Sequence, residues 1–237
     1  FQQMAKNAME QIYANGHIPI VVGGTGFYIQ ALLYDIDFTS TAQDDTYRAE
    51  LENLVKEKGA AYLHNMLRKV DPESAEDIHA NNVKRVIRAL EYYRQTGQKM
   101  SEHNEEERRK ESPYEFVYFV LNAPREQLYA RIDRRVDQMI EEGLVDEVKH
   151  LKELGCTKEM VSMQGLGYKE ILAYLDGECD LDTAVYTIKR DTRHFAKRQL
   201  TWFRRERQVT WIQKEVYDYD EDRILKAMLS HLEGRIC

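Results

Sequence analysis

A short apolar run that ends in a glycine turn constrains the fold of this chain more than any other segment. Residues 18–33 read IPIVVGGTGFYIQALL. The β-branched run predicts a strand buried on both faces, and the glycines let the backbone turn sharply into a helix, as in α/β proteins. No Lys followed by Ser or Thr closes the turn, so it is not a Walker A loop. Thr25 is the one side chain in the turn with a group suited to chemistry; the alternative is a turn with a structural role only.

Composition bounds the size of the fold and the function classes. The chain has 237 residues, of which 43% are hydrophobic and 32% charged, enough for one good core and a smaller subdomain. No apolar run approaches the roughly 18 residues that span a membrane and no segment reads as a signal peptide, so we expect a cytoplasmic protein with no membrane partner. The cysteines and histidines are scattered, so we predict no metal site formed by these side chains.

Strand-like segments are few. Besides the first run, only residues 115–123 and 208–213 have the pattern of buried strands. The first sixteen residues have the pattern of a helix that has already begun at Phe1 and that ends at Gly16. Three strands make a thin sheet for so many helices, so we expect further strands upstream of Phe1.

About 80 residues without strand signal precede the second strand, too many for a crossover loop, and they predict a helical insertion. Asp71 and Pro72 predict a helix start, as cap and first residue, and the next helix should stop at Gly97. The charged stretch 101–113 is expected to be a loop. The insertion core is predicted from helical spacing to contain Leu51, Val55, Tyr62, Leu63, Met66, Leu67 and Val70. The predicted divisions are 1–40 in the α/β core, 41–112 as the helical insertion and 113–237 as the remaining core with basic C-terminal helices.

Positive charge is concentrated although the net charge is −7. Arg131 and Arg135 lie one helical turn apart, either as plain surface residues or as a two-pronged anion clamp. Residues 189–207 hold eight Lys or Arg with aromatic residues interleaved, either as the polar face of an amphipathic helix or as a polyanion-binding stripe. A second basic patch lies on the insertion, and two patches favour a nucleic-acid clamp.

The chain resembles the tRNA dimethylallyltransferases, the bacterial-type isopentenyltransferases that act on tRNA. The likeness lies in five segments in the family's order: VVGGTGFYIQALL, DPESAEDIHANNVKRVIRALEYYRQTG, RIDRRVDQMIEEGLVDEV, MQGLGYKEI and TRHFAKRQLTWFR. This resemblance implies a P-loop NTPase-like parallel sheet core, incomplete at the N-terminus, with an all-helical insertion. It also implies transfer of a dimethylallyl group from its pyrophosphate to the exocyclic amine of the adenosine on the 3′ side of the anticodon.

The resemblance assigns roles to particular residues. Thr25 and Arg135 would act at the reacting centre, Thr25 also touching the flipped base, and Arg131 with Arg135 would hold the pyrophosphate. Further tRNA contacts are implied for Arg48, Lys84, Arg85, Arg88, Gln164, Gly165, Leu166, Gly167, Tyr168, Lys169, Lys197, Arg198, Gln199, Trp202 and Arg204.

The resemblance further implies a tRNA anticodon stem-loop and dimethylallyl pyrophosphate as partners, Mg²⁺ as cofactor, and a monomer. The family's P-loop, its general base and most magnesium ligands would lie before Phe1, so we expect this chain alone to be inactive. Asn82 departs from the family's usual aspartate. A non-catalytic RNA-binding module and a P-loop nucleotide kinase are the alternative functions.

Overall fold

The computed structural model describes residues 1–36 and 45–233, and the chain divides into two compact units. The first unit comprises residues 1–23 and 27–115, and the second comprises 24–26 and the residues from 116 onward. None of the helices in the described residues is both long and apolar enough to cross a membrane. The three-part division into core and insertion stays a prediction.

Helices build the first unit. Its most buried residues lie where α3, α4 and α6 meet, around Leu51, Leu63 and Leu67, as the helical spacing predicts. Tyr62, also predicted to be buried, is 42% exposed, and its ring lies under the Lys58 ammonium at 4.7 Å. The helices are α1 Gln2–Ala14, α2 Gly26–Leu33, α3 Asp45–Lys58, α4 Ala60–Val70, α5 Pro72–Asp77, α6 Val83–Thr96 and α7 Met100–Arg109.

The predicted helix boundaries in this unit are confirmed. The Asp71 carboxylate caps α5 by accepting the Ser74 N–H over 3.0 Å, and α6 ends at Gly97 with φ +71°. Asp71 is fully buried and also accepts the Ser101 N–H and hydroxyl, over 3.0 and 2.6 Å. One carboxylate thus ties together the starts of α5 and α7.

The loop predicted over residues 101–113 is wrong, because α7 occupies most of it. Its glutamates and arginines are good helix formers and pair along the helix, as Arg109 does with Glu105 four residues earlier. The bonds from Ser101 to Asp71 hold its first turn. Charge density alone therefore did not distinguish a solvated helix from a loop.

The buried strand predicted over residues 18–22 is also wrong. The chain passes through this segment without regular structure, and Ile18, Ile20 and Val22 are 77%, 85% and 89% exposed. A strand forms only where a neighbour pairs with its N–H and C=O groups. Within the described residues the sheet has two strands, and this segment belongs to neither.

In the described residues, the second unit combines that parallel sheet with five α-helices. Its strands pair in register from Tyr118 opposite Val209 to Asn122 opposite Gln213, which confirms the two later strand predictions. Apolar side chains between α8, α9, α10 and α11, including the fully buried Val148 of α9, form its main core. The elements are β1 Tyr118–Asn122, α8 Arg125–Glu141, α9 Leu144–Glu153, α10 Tyr168–Leu175, α11 Leu181–Phe203, β2 Val209–Gln213 and α12 Glu221–Glu233.

Candidate active site and nucleic-acid interface

A cavity of about 240 Å³ lies at the carboxyl ends of β1 and β2 in the second unit. At this edge the Asn122 side-chain amide donates a hydrogen bond to Gln213 Oε1 over 2.9 Å. The carboxyl edge of parallel strands is where open α/β sheets place their ligands. Helices α8 and α11 contribute walls with Leu128, Arg131, Gln199 and Phe203, and Lys214 adds a side chain directly after β2.

Two cationic side chains line this cavity, Arg131 from α8 and Lys214 from the end of β2. Arg135 lies one turn further along α8 and is exposed, but it is not part of the cavity lining. Neither arginine has an ion pair with an acid in the described part of the chain. Both guanidinium groups therefore remain available for an anion, as the clamp interpretation requires.

The acidic residues of α8 serve a different purpose. Asp133 accepts from Arg193 over 2.5 Å, and Asp137 lies 2.5 Å from Lys189. Both pairs join α8 to α11, and they lie one helical turn apart on each helix. These ion pairs fix the two helices that wall the cavity, so the basic residues involved have a structural role.

The glycine turn 24–26 belongs to the second unit and rests on α11. The Gln199 side-chain amide donates to the Gly24 carbonyl over 2.7 Å. Gly26 is buried against the Trp202 indole, and a Cβ there would lie 2.1 Å from Cδ1 of the ring. Thr25, between these two contacts, is exposed and has no hydrogen bond within the described residues. The turn therefore has a structural role through its glycines and leaves the threonine hydroxyl available.

Trp202 is itself held by an acid. Its Nε1–H donates to Glu206 Oε1 over 2.7 Å. Burial raises the pKa of the Glu206 carboxyl above its usual value, and the hydrogen bond from Trp202 offsets this only in part. Gln199 and Trp202 of α11 thus contact the glycine turn, and Glu206, beyond the end of the helix, holds Trp202.

The cations of residues 189–207 divide into two groups. Lys189 and Arg193 pair with α8, and Arg190 pairs with its neighbour Asp191 over 2.8 Å. The later ones are exposed and lack acidic partners in the described parts of the chain, and Arg198 lies 5.7 Å from the Phe195 ring. This second group comprises Lys197, Arg198, Arg204, Arg205 and Arg207. It is the part of the stripe that is free to contact phosphates.

The turn over residues 164–169 is rigid. Gly167 has φ +101°, which only glycine adopts without strain, and its N–H donates to the buried Glu170 carboxylate over 2.9 Å. Lys169 lies 3.3 Å from the same carboxylate. The Tyr168 hydroxyl donates to Glu147, and this bond raises the pKa of the tyrosine. Gln164 and Gly165 remain exposed, and Leu166 is half-buried, so the turn presents a preformed edge to solvent.

On the first unit, Lys84, Arg85 and Arg88 are exposed on one face of α6, opposite its buried apolar residues. Arg48 differs from them. Its guanidinium binds the Glu91 carboxylate with two hydrogen bonds, of 2.9 and 2.7 Å, and so joins α3 to α6. Its contact with tRNA stays a prediction, and any such contact would compete with this pair.

The model of one protein family, IPPT, described as IPP transferase, matches residues 1–206. The chain belongs to the IPP transferase family. Among relatives of this family, the tRNA dimethylallyltransferase of Lachnoclostridium phytofermentans is 59% identical over 232 residues, which cover 98% of this chain and 74% of that protein.

Solved structures of IPP transferases show the same fold. The full-length tRNA isopentenylpyrophosphate transferase from Bacillus halodurans matches with TM-score 0.60 and 40% identity, over 97% of this chain and 75% of that one. A eukaryotic dimethylallyltransferase acting on tRNA matches with TM-score 0.76 and 30% identity, over 96% and 59%. The predicted fold class, an α/β P-loop NTPase-like core with helical additions, is confirmed by this likeness.

The IPP transferase family implies a divalent metal, and the predicted cofactor is Mg²⁺. Across residues 1–36 and 45–233, no group of three or more His, Cys, Asp or Glu side chains is placed to hold a metal ion. The side chains of the described residues therefore do not fit a site for this metal.

Sequence reasoning missed two residues of the site: Lys214, which lines the cavity, and Glu206, which holds Trp202. Lys214 follows β2, and a cation directly after a buried strand is the signal that marks it, since the carboxyl edge of the sheet holds the site. Glu206 lies four residues after Trp202, a helical spacing that indicates a side-chain contact. Gln199 was predicted to contact tRNA, but its amide also holds the Gly24 carbonyl.

Proposed function

We propose that this chain transfers a dimethylallyl group from dimethylallyl pyrophosphate to the exocyclic amine of the adenosine that follows the anticodon of tRNA. One observation carries the proposal: the cavity with Arg131 and Lys214 and the turn with Thr25 both rest on the C-terminal part of α11, where exposed cations have no acidic partner in the described residues. Membership of the IPP transferase family and relatives named tRNA dimethylallyltransferase support the same reaction.

Pyrophosphate is the leaving group, and negative charge grows on it as the bond to the allyl carbon breaks. Donors already in place for that charge lower the barrier. Arg131 and Arg135 supply guanidinium forks suited to phosphate oxygens, and neither is neutralised by an acid in the described residues. Thr25 supplies a free hydroxyl on a turn held at both ends, suited to a hydrogen bond with pyrophosphate or base. These three residues are our proposed catalytic and pyrophosphate-binding groups.

The acceptor amine belongs to a base that is stacked in the anticodon loop, so the adenosine must leave the stack to react. Lysine and arginine contacts to the backbone supply most of the affinity for such a loop, and a preformed protein edge fixes its position. We assign this role to Lys197 and Arg198 of α11 and to Arg204 directly after it, with Gln199 and Trp202 holding the turn beside the base.

Two further surfaces complete the proposed tRNA interface. The rigid turn 164–169 offers an ordered edge with few degrees of freedom to lose on binding. Lys84, Arg85 and Arg88 offer three cations on one helix face of the first unit. We further propose that the partner is the tRNA anticodon stem-loop and that the chain divides into a core and a helical insertion. We also propose that the protein is a monomer and that it is cytoplasmic, because tRNA is its substrate.

The transfer is tested with the whole natural protein, unmodified tRNA, magnesium and labelled dimethylallyl pyrophosphate. We expect label in tRNA at the adenosine beside the anticodon. Tight tRNA binding without label would favour the RNA-binding module instead. Phosphate transfer from ATP to a nucleoside monophosphate, with no label in tRNA, would favour the nucleotide kinase.

A matched pair of lysines on α11 tests the interface separately. Lys197→Ala should weaken tRNA binding on the order of fivefold at low salt, because its ammonium is free for phosphate. Lys189→Ala should leave affinity nearly unchanged, because that lysine pairs with Asp137. Equal losses in filter binding or fluorescence anisotropy would contradict the division of the stripe into structural and phosphate-contacting cations.

A further inference from the structure

Glu206 lies just beyond the end of α11, where helix stability gives no reason for an acid. The C-terminal end of a helix carries partial negative charge, which disfavours a carboxylate. The Glu206 side chain is also partly buried, which disfavours its charged form further. The contact that accounts for its position is the 2.7 Å hydrogen bond from the Trp202 indole.

That hydrogen bond fixes the edge of the indole that supports the glycine turn. A Cβ placed on Gly26 would lie 2.1 Å from Cδ1, 2.4 Å from Nε1 and 2.8 Å from Cγ of Trp202, so the side of the indole that carries the N–H is the one packed against the glycine. Rotating the ring about its Cβ–Cγ bond would move this edge and break the bond to Glu206 together. The hydrogen bond to the carboxylate therefore holds the indole in the orientation that packs against Gly26.

Gly26 directly follows Thr25, and the preceding Gly24 is held by Gln199 of the same helix. Displacement of the indole would thus release one of the two anchors of the threonine. We propose that Glu206 is a positioning residue for the transfer, acting through Trp202 to hold the turn that carries Thr25. This inference rests on the proposed function, and it adds a residue that touches neither substrate.

The effect should appear in kcat and not in binding, because Glu206 lies outside the proposed phosphate contacts. In the full-length protein, Glu206→Ala should lower kcat on the order of tenfold, the effect of one hydrogen bond to a charged acceptor. KM for tRNA should stay within about twofold, since the free cations of α11 are untouched. Glu206→Gln should recover most of kcat because its amide oxygen still accepts the indole N–H.

Glu215→Ala is the matched control, because this glutamate is exposed and has no ion pair in the described residues. Equal kcat for the Glu206→Ala and Glu215→Ala variants would overturn the proposal, and so would a Gln variant as impaired as the Ala variant. If Glu206→Ala does not fold by circular dichroism, Trp202→Phe removes the donor while keeping an aromatic ring. It should show the same fall in kcat, and an unchanged kcat would again overturn the proposal.

A readout without turnover separates this inference from the proposed function. Trp202 and Trp211 are the two tryptophans of these 237 residues, so a Trp211→Phe background leaves Trp202 as the one tryptophan among them. In that background, Glu206→Ala should increase acrylamide quenching of Trp202, and unchanged quenching would show that the contact does not hold the ring. Absence of label in tRNA with the parent protein would refute the proposed function, while this optical result would still stand.

Discussion

Alanine at Gly26 should displace the Trp202 indole and with it the turn that carries Thr25. The added Cβ would lie 2.1 Å from the ring, so the ring must retreat by about 1.3 Å to reach the 3.4 Å of ordinary contact. Overpacking of this kind costs about 1–3 kcal/mol of the free energy of unfolding. Alanine recovers at most about 1 kcal/mol as the better helix former. The steric cost therefore outweighs the gain in helix propensity over most of this range, and we expect a net loss of up to about 2 kcal/mol.

Urea denaturation measures this loss, and the labelled transfer assay measures its effect on kcat. Gly23→Ala is the matched control, because a Cβ there meets no atom within 4 Å. Neither glycine has a positive φ, so the backbone accepts alanine at both positions. If both variants lost the same stability, or if Gly26→Ala kept the parent's kcat, the packing of the turn on α11 would not support Thr25 as argued.

The remaining predictions concern separate parts of the molecule. Arg135→Ala should lower kcat with little change in tRNA affinity, whereas Arg204→Ala should weaken tRNA binding and reduce the slope of log affinity against log salt by about one; a shared phenotype would contradict the two roles. Burial raises the pKa of Asp71, but hydrogen bonds from Ser101 and Ser74 together outweigh it, so the pKa lies below its usual value. This carboxylate therefore adds stability above its unfolded pKa that is lost as pH falls through the folded pKa. Asp71→Asn should be less stable than the parent near neutral pH, and its urea midpoint should fall less between about pH 6 and pH 3; parallel pH profiles would refute this.

Local chemistry predicted the parts of the fold that depend on neighbours in sequence. Asp71 caps α5 and Gly97 ends α6 because caps and left-handed glycines act over three or four residues. The prediction of a strand at residues 18–22 failed because a strand depends on a pairing partner that no local sequence pattern specifies. The prediction of a loop at residues 101–113 failed because a charged helix and a charged loop have the same composition.

Prediction of the candidate site from sequence has the same limit. Arg131 and the exposed cations of α11 follow from spacing and charge, and the structure leaves them available. The bond from Gln199 to Gly24 joins residues 175 apart in sequence, which periodicity does not reveal. The pairing of Lys189 with Asp137 removes a cation that composition alone counts as free.

The exposed run at residues 18–22 has a practical consequence for work with this chain. Its β-branched side chains are exposed and it joins no strand of the sheet in the described residues, so it resembles an uncovered sheet edge, a template on which a second chain can add a strand. Self-association through this run would mimic oligomerisation at high protein concentration. Ile20 is 85% exposed and belongs to neither hydrophobic core. Ile20→Lys would place a charge in the run and so oppose such strand addition without disturbing either core.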